Sequence, residues 1–285
     1  AAAGGGWGFA RVLRLEHPLL GLLSVDIARG VSAGFATRRL LSAAAVLGER
    51  KEWELGLSTV LCTTRLRRVV PATQECRGVV GWYGITGGLG GLGLRAAVLL
   101  VECSASHVLL ASRSGRVVRD GQNLEVQLSS LGRTAQVTAC NSAQQSDSNA
   151  FCSHTPLTGV LHTAGTGDKG LLPDLNAGKL DMLHGPKAFG AWYVRCTTSK
   201  APLETCILFS SVGSGLGNVG QGTYAAANAC LDAHAISCRS RSVAAYSLQW
   251  PLVGGAGIGA AAFSGLIERK MNIAGLAGIS LEEYA

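Results

Sequence analysis

From residue 79 onward, short apolar runs alternate with longer stretches whose apolar positions recur every three or four residues, and glycine-rich turns separate them. A short apolar run bounded by turn residues marks a strand, and the longer period marks a helix. Strands are therefore predicted at residues 79–86, 108–111, 135–140, 158–161, 206–209 and 243–248. Helices are predicted at 92–103, 124–131 and 177–196, and in the segment opened by Tyr224. Such alternation implies an α/β fold with a doubly wound parallel sheet and ligand sites at the carboxyl ends of its strands. Before residue 79 the pattern is different, with a strand at 22–27, a helix rich in Ala and Leu at 37–47, a basic strand at 66–70 and a linker at 71–77. That first region has no nucleophile and base at a telling spacing, so a structural role is expected for it.

Composition narrows the class. A chain of 285 residues with 47% hydrophobic and 15% charged content can bury a sizeable core. Glycine, at 39 residues, is abundant, but with only 7 prolines the chain is no low-complexity linker. The net charge of +7 is scattered, and its densest clusters, at 49–51 and 65–68, lack interleaved aromatics. Nucleic acid is thus not an expected partner, whereas phosphate-bearing small molecules or an acidic carrier protein remain open. The 9 cysteines show neither C-x-x-C pairs nor zinc-ligand spacing, so they read as reduced core residues and no metal is expected. No signal peptide and no membrane span are visible, which points to the cytoplasm. The start AAAGGGWGF, without Met, suggests a piece of a longer polypeptide from which an upstream targeting segment would be missing.

Two stretches carry candidate chemistry. After the strand at 79–86 comes Thr86-Gly87-Gly88-Leu89-Gly90-Gly91-Leu92-Gly93. Gly88, Gly90 and Gly93 form G-x-G-x-x-G, in which the glycines allow a tight turn, a close backbone approach to a pyrophosphate and close helix packing. A glycine-rich hairpin would read the same way, but the place between a strand and an apolar helix favours the dinucleotide. About twenty residues past the motif, where an acidic residue would select NAD, stand Ser112 and Arg113. A guanidinium there suits the 2′-phosphate of NADPH. In the second stretch, residues 206–233, a strand ends at Ser211 and a glycine-rich loop leads to Tyr224. A hydroxyl at a strand end facing a phenol at a helix start can donate two hydrogen bonds to one carbonyl oxygen. Asn228, four residues on, shares the helix face of Tyr224. Taken singly, Ser211 could be a cap, Tyr224 a half-buried aromatic and Asn228 a polar helix residue.

TGGLGGLG at 86–93, LLASRSG at 109–115, GVLHTAG at 159–165, GPKAFGAW at 185–192, LFSS at 208–211 and GQGTYAAANACLDA at 220–233 together resemble the ketoreductase domain of a modular type I polyketide synthase. That family is a specialised group of short-chain dehydrogenase/reductases with a Rossmann-type sheet. WGFARVLRLEHP at 7–18 resembles part of the family's truncated, non-catalytic structural subdomain. The resemblance implies the C-terminal part of that subdomain at 1–78, a catalytic NADPH-binding subdomain at 79–265, and an exit segment toward a following domain at 266–285. It implies Tyr224 as proton donor, Ser211 as carbonyl holder, Lys187 as the cation beside the phenol and Asn228 as the residue that orders a water. It also implies cofactor contacts from Thr86, Gly88, Leu89, Gly90, Gly93, Ser112, Arg113, Asn141, His162, Thr163, Ala164 and Gly165. The implied reaction is NADPH-dependent reduction of a 3-ketoacyl thioester to the 3-hydroxyacyl thioester, the chain being held on the phosphopantetheine of an acyl carrier protein among neighbouring synthase domains.

Several positions depart from the family pattern. Gly84 interrupts the first strand of the catalytic region, Asn141 stands where an Asp is usual, and residues 141–156 are short and polar where the family has a fuller helix, so a looser cofactor site is expected there. Lys169 replaces the last Asp of one stereochemical class and Leu216 replaces the Trp of the other, so neither product configuration is assigned. GGAGIGAAAF at 254–263 resembles the start of a lid over the substrate. The rival readings are the reductase of a type I fatty acid synthase, a catalytically silent scaffold of the same fold, and a stand-alone reductase of small ketones.

Overall fold

The computed structural model describes residues 3–49, 54–58, 60–63, 79–118, 122–167, 170–199, 203–255, 257–260 and 278–284. Its elements, in chain order, are α1 (Ala3–Glu16), β1 (Ser24–Ile27), α2 (Ala33–Glu49), β2 (Glu54–Leu57), β3 (Leu61–Thr63), β4 (Trp82–Thr86), α3 (Gly91–Glu102), β5 (His107–Ser112), α4 (Leu124–Ser130), β6 (Ala135–Ala139), α5 (Gln145–Ser153), β7 (Gly159–His162), α6 (Ala177–His184), α7 (Gly190–Thr198), β8 (Thr205–Ser211), α8 (Val212–Leu216), α9 (Gly222–Arg239), β9 (Ala245–Trp250) and α10 (Leu281–Tyr284). They form two compact units, one of residues 17–75 and the other of residues 1–16 together with 76–285.

In the smaller unit β1 pairs in parallel with β2, and β2 pairs antiparallel with β3. The helix predicted at 37–47 is longer, and β2 and β3 were not foreseen; each is too short to show a clear alternation. The strand at 66–70 and the linker at 71–77 lie outside the described residues.

The larger unit holds a parallel sheet in the order β6-β5-β4-β7-β8-β9. All six predicted strands of this sheet are present, with ends moved by up to three residues. β5 shows why an unbroken apolar run was the right signal: Val108 and Leu110 enter the core on one face, and Leu109 and Ala111 enter a second cluster on the other. Side chains alternate across a strand, so a strand covered on both faces is apolar throughout. The order reverses between β4 and β7, which opens a crevice at their carboxyl ends.

Three expectations are corrected here. The helix predicted at 177–196 is interrupted by a π-helical turn, Gly185–Phe189, that separates α6 from α7. Residues 141–156 are not loose, since α5 forms there and buries Phe151 to 2% exposure. Gly84 does not weaken its strand for want of a side chain, because Phe151 supplies the missing bulk. A Cβ on Gly84 would lie 3.0 Å from the Phe151 ring and 3.0 Å from Leu157. The small residue on the strand and the large one on the helix are complementary in volume, a relation that sequence periodicity does not carry.

Helix α1 packs lengthwise and antiparallel on α9. Gly4 approaches Ala229 and Ala233, and Gly8 approaches Ala225; a Cβ at Gly8 would sit 2.4 Å from the Ala225 carbonyl oxygen. At the other end of the chain, residues 278–284 return to the sheet. Ile279 bridges to Val253, and the Tyr284 hydroxyl donates to the Leu92 carbonyl at 2.9 Å. Of the lid-like glycine stretch, Gly257 N–H donates to Gln122 Oε1 at 3.0 Å, while residues 261–277 lie outside the described residues. No helix among the described residues is long and apolar enough to cross a membrane.

The Gly84–Phe151 pair is checked by a double-mutant cycle. Gly84→Val should cost about 1–3 kcal/mol through overpacking and Phe151→Ala about 3–5 kcal/mol through the cavity it leaves. In urea melts the double variant should lose less than the sum by more than about 1 kcal/mol, since each change relieves the other.

Candidate functional site

The crevice between β4 and β7 is closed at its base by backbone contacts. Thr163 donates to the Thr86 carbonyl through both its N–H, at 3.0 Å, and its hydroxyl, at 2.8 Å. Gly87 has φ +70°, and a Cβ on it would lie 2.7 Å from the backbone nitrogen of Ala164. Only glycine combines that conformation with that approach. Gly93, in the first turn of α3, is packed as tightly, 2.6 Å from a would-be Cβ to the Gly87 carbonyl oxygen. Helix α3 starts at Gly91 after Gly90, and no side chain caps it. The free first-turn N–H groups and the positive end of the helix dipole make a seat for an anion such as a pyrophosphate. Gly88 and Gly90 thus lie in the tight turn between β4 and α3, and Gly93 in the first turn of the helix.

The same rim carries the other predicted cofactor positions. Ser112 ends β5, and Arg113 beside it is exposed. Asn141 follows β6; its N–H donates to Asp147 Oδ2 at 2.9 Å and its Oδ1 accepts from Ala143 N–H at 3.2 Å, which leaves its NH2 group available. Ala164 and Gly165 follow β7, and a Cβ on Gly165 would meet Lys187 Cε at 2.6 Å. Three predicted residues point inward instead. Leu89, 4% exposed, belongs to the core. Thr86 and His162 are buried against each other, with Thr86 Oγ1 2.7 Å from His162 Nδ1.

His162 bridges two elements. Its Nε2 is 3.0 Å from the Lys187 carbonyl oxygen, which can only accept. The ring therefore carries its proton on Nε2 and accepts the Thr86 hydroxyl on Nδ1. Burial, reinforced by the Lys187 charge, pushes the His162 pKa down to about 4, so the ring is neutral. The imidazole pins the π-helical turn that presents Lys187 to the end of β7.

Lys187, Ser211, Tyr224 and Asn228 come together. Lys187 is 5% exposed; its Nζ donates to the Phe209 carbonyl at 3.0 Å and lies 5.7 Å from the centre of the Tyr224 ring. Burial lowers its pKa from 10.5 to about 8, with the Asp232 carboxylate opposing. Ser211 is the last residue of β8, in extended conformation, and its Oγ accepts from Gly213 N–H at 3.2 Å. Tyr224 sits in the first turn of α9. Burial raises its pKa, while hydrogen bonding from the Ser211 and Asn228 side chains lowers it. Asn228 is fully buried; its Nδ2 donates to the Tyr224 carbonyl at 2.9 Å, and its Oδ1 has no partner.

Sequence reasoning missed Asp232. Its carboxylate accepts from Ser214 Oγ at 2.6 Å, Ser247 Oγ at 2.6 Å and Gln249 Nε2 at 2.7 Å, so it joins α9 to α8 and β9 behind the four residues. The signal was available, since Asp232 follows Tyr224 and Asn228 at steps of four along one helix face.

A parallel sheet in this order, with Ser, Tyr, Lys and Asn gathered at its carboxyl rim beside a glycine turn, defines a Rossmann-type domain of the short-chain dehydrogenase/reductase kind. The profile described as KR domain matches residues 81–255. The pikromycin polyketide synthase component PikAIII of Streptomyces venezuelae is 32% identical over 276 residues, covering 93% of this chain and 17% of that protein. The spectinabilin polyketide synthase system protein NorB of Streptomyces orinoci is 38% identical over 205 residues, covering 70% of this chain and 9% of that protein. Among solved structures, the A-type ketoreductases from a modular polyketide synthase superpose with a TM-score of 0.78 at 34% identity, over 89% of this chain and 55% of theirs. An A1-type ketoreductase superposes with a TM-score of 0.80 at 33% identity, over 93% of this chain and 57% of its own. The chain belongs to the KR domain family, the ketoreductase domains of modular polyketide synthases. It spans a small fraction of the multidomain synthase components it matches.

The buried ammonium gives a stability test. With a native pKa near 8 and an unfolded value of 10.5, the unfolded chain holds more protons between those limits, so stability rises with pH across that window. The cost of burying the charge is fully present below pH 8 and is lost by about pH 10.5. Lys187→Met should therefore melt above the wild type at pH 7, and calorimetry should show the gap closing between pH 8 and 10.5.

Proposed function

We propose that this domain uses NADPH to reduce the 3-keto group of an acyl thioester, carried on the phosphopantetheine of an acyl carrier protein, to a 3-hydroxyl. The observation that carries the reading is the pairing of the Ser211 and Tyr224 side chains beside a buried lysine ammonium. The two hydroxyls can bind one carbonyl oxygen and stabilise the negative charge that develops there. Tyr224 gives its proton to that oxygen, and Lys187 makes the resulting phenolate affordable by placing a cation near the ring. Asn228 holds the Tyr224 backbone and leaves a buried carbonyl oxygen open to a water, which supports a relay that reprotonates the phenol.

The glycine turn, the uncapped α3 terminus and the exposed Arg113 fit a phosphorylated dinucleotide. Gly88, Gly90 and Gly93 would seat its pyrophosphate, Arg113 its 2′-phosphate and Asn141 an adenine edge. Bound there, NADPH supplies the hydride. Thr86, Leu89 and His162 serve from inside the protein, holding the turn and the Lys187 segment. The gathered quartet supports an active reductase rather than a silent scaffold.

The first experiment follows NADPH oxidation with a short 3-ketoacyl thioester. Tyr224→Phe should lower kcat by about 10²–10⁴-fold while leaving cofactor binding in place. As pH rises through about 8 the Lys187 ammonium is lost, so kcat should fall on the alkaline side. Arg113→Ala should raise the KM for NADPH while changing that for NADH little. A wild type that binds NADPH yet reduces neither the free thioester nor its carrier-bound form would overturn the reading.

A further inference from the structure

The proposed active site is flanked by two closely packed walls of chain. Gly170, Leu175 and Leu183 line one side, and Gly220, Gln221 and Tyr224 line the other. The first wall follows β7 and the second is the loop between β8 and α9. The walls touch where Gly170 N–H donates to the Gly220 carbonyl at 3.0 Å and where Gly222 packs on Leu172, whose Cδ2 would lie 2.5 Å from a Cβ there.

Helix α1, which supplies no residue of the quartet, ends where these walls meet. Its last residue, Glu16, accepts from Leu172 N–H through Oε2 at 2.8 Å and from Gly220 N–H through Oε1 at 2.9 Å. One carboxylate thus joins both walls, using one oxygen for each. A carboxylate at a helix C-terminus faces the negative end of the dipole, an unfavourable place. Two charge-assisted bonds to backbone N–H groups offset that cost.

The helix is itself held at a fixed height. Gly4 and Gly8 allow α1 no clearance from α9, the helix that carries Tyr224 and Asn228. Along the same helix, Arg11 donates to the Ser214 carbonyl, and Gly217, with φ +75°, rests on Arg11 and Leu15. The stretch from Ser211 to Tyr224 is therefore held against α1 at Ser214, Gly217 and Gly220.

We propose that Glu16 is a positioning residue for substrate: by tying together the two walls beside Tyr224, its carboxylate sets the pose in which the ketone reaches Ser211 and Tyr224. This rests on the reductase reading above. Both Glu16 carboxylate oxygens are engaged by backbone N–H groups, so its effect falls on substrate binding and on which face of the carbonyl is presented.

The test compares wild type with Glu16→Gln and Glu16→Asp on a 3-ketoacyl thioester, reading kcat, KM, the enantiomer ratio of the 3-hydroxy product and the thermal midpoint. Glutamine keeps the volume but has one acceptor, and aspartate keeps the charge but is too short to reach both loops. For Glu16→Gln, KM should rise about tenfold, the effect of about 1.4 kcal/mol, with kcat changed less than about twofold and the minor enantiomer increased. Hydrogen exchange at the Leu172 and Gly220 amides should quicken while the rest of the sheet stays protected. If Glu16→Gln does not fold, Glu16→Asp carries the same readouts. Unchanged KM and enantiomer ratio, with or without a lower thermal midpoint, would show a purely structural role and overturn the proposal. If the wild type reduces no thioester, the reductase reading fails and takes this one with it; wild-type turnover with an unaffected variant refutes only the role of Glu16.

Discussion

An ammonium group held away from water is costly unless the protein supplies compensating dipoles and charge. The larger unit is arranged around one such group, Lys187. Its Nζ has the Phe209 carbonyl at the end of β8, its backbone carbonyl has the His162 ring, and the Asp232 carboxylate adds charge from α9. Each of these partners comes from a different element of the unit. The π-helical turn is where the α6–α7 segment presents the lysine to them, and such turns recur at functional sites because they re-aim one side chain without ending the helix. His162 holds the Lys187 carbonyl through Nε2–H, and burial beside the cation keeps its ring neutral.

Around that centre, several close approaches depend on residues with no side chain or a small one. The turns after β4 and β7 meet backbone to backbone at Gly87 and Ala164, which brings the dinucleotide turn and the Lys187 segment to one crevice. The Lys187 stem runs against Gly165, and the His162 ring against Gly190. Helix α1 lies on the alanines of α9 through Gly4 and Gly8. The high glycine content is thus spent partly on backbone contacts that hold polar groups where packing alone would not.

Much of the larger unit was legible in the chain because its signals are local. Strands buried on both faces are continuous apolar runs, and the glycine turn sits within a strand-to-helix step. Tyr224 and Asn228 lie four residues apart on one helix. What escaped notice depends on partners distant in sequence. Gly84 read as a defect until Phe151 was seen against it, and the polar 141–156 segment concealed a helix whose single large apolar residue faces the sheet. Thr86, Leu89 and His162 lie within motifs that line a cofactor crevice, yet their side chains turn into the protein.

The sequence by itself determined the alternation of strands and helices, the glycine turn, and the residue types available at the carboxyl rim, since each is written in spacing over a few residues. Tertiary structure decided which of those residues meet. Glu16 reaches Leu172 and Gly220 across 156 and 204 residues of chain, and His162 reaches Thr86 and Lys187 across 76 and 25. No local period encodes such pairs. They form when the parallel crossovers bring remote segments to one end of the sheet, where a buried polar group must find a partner or leave its cost unpaid.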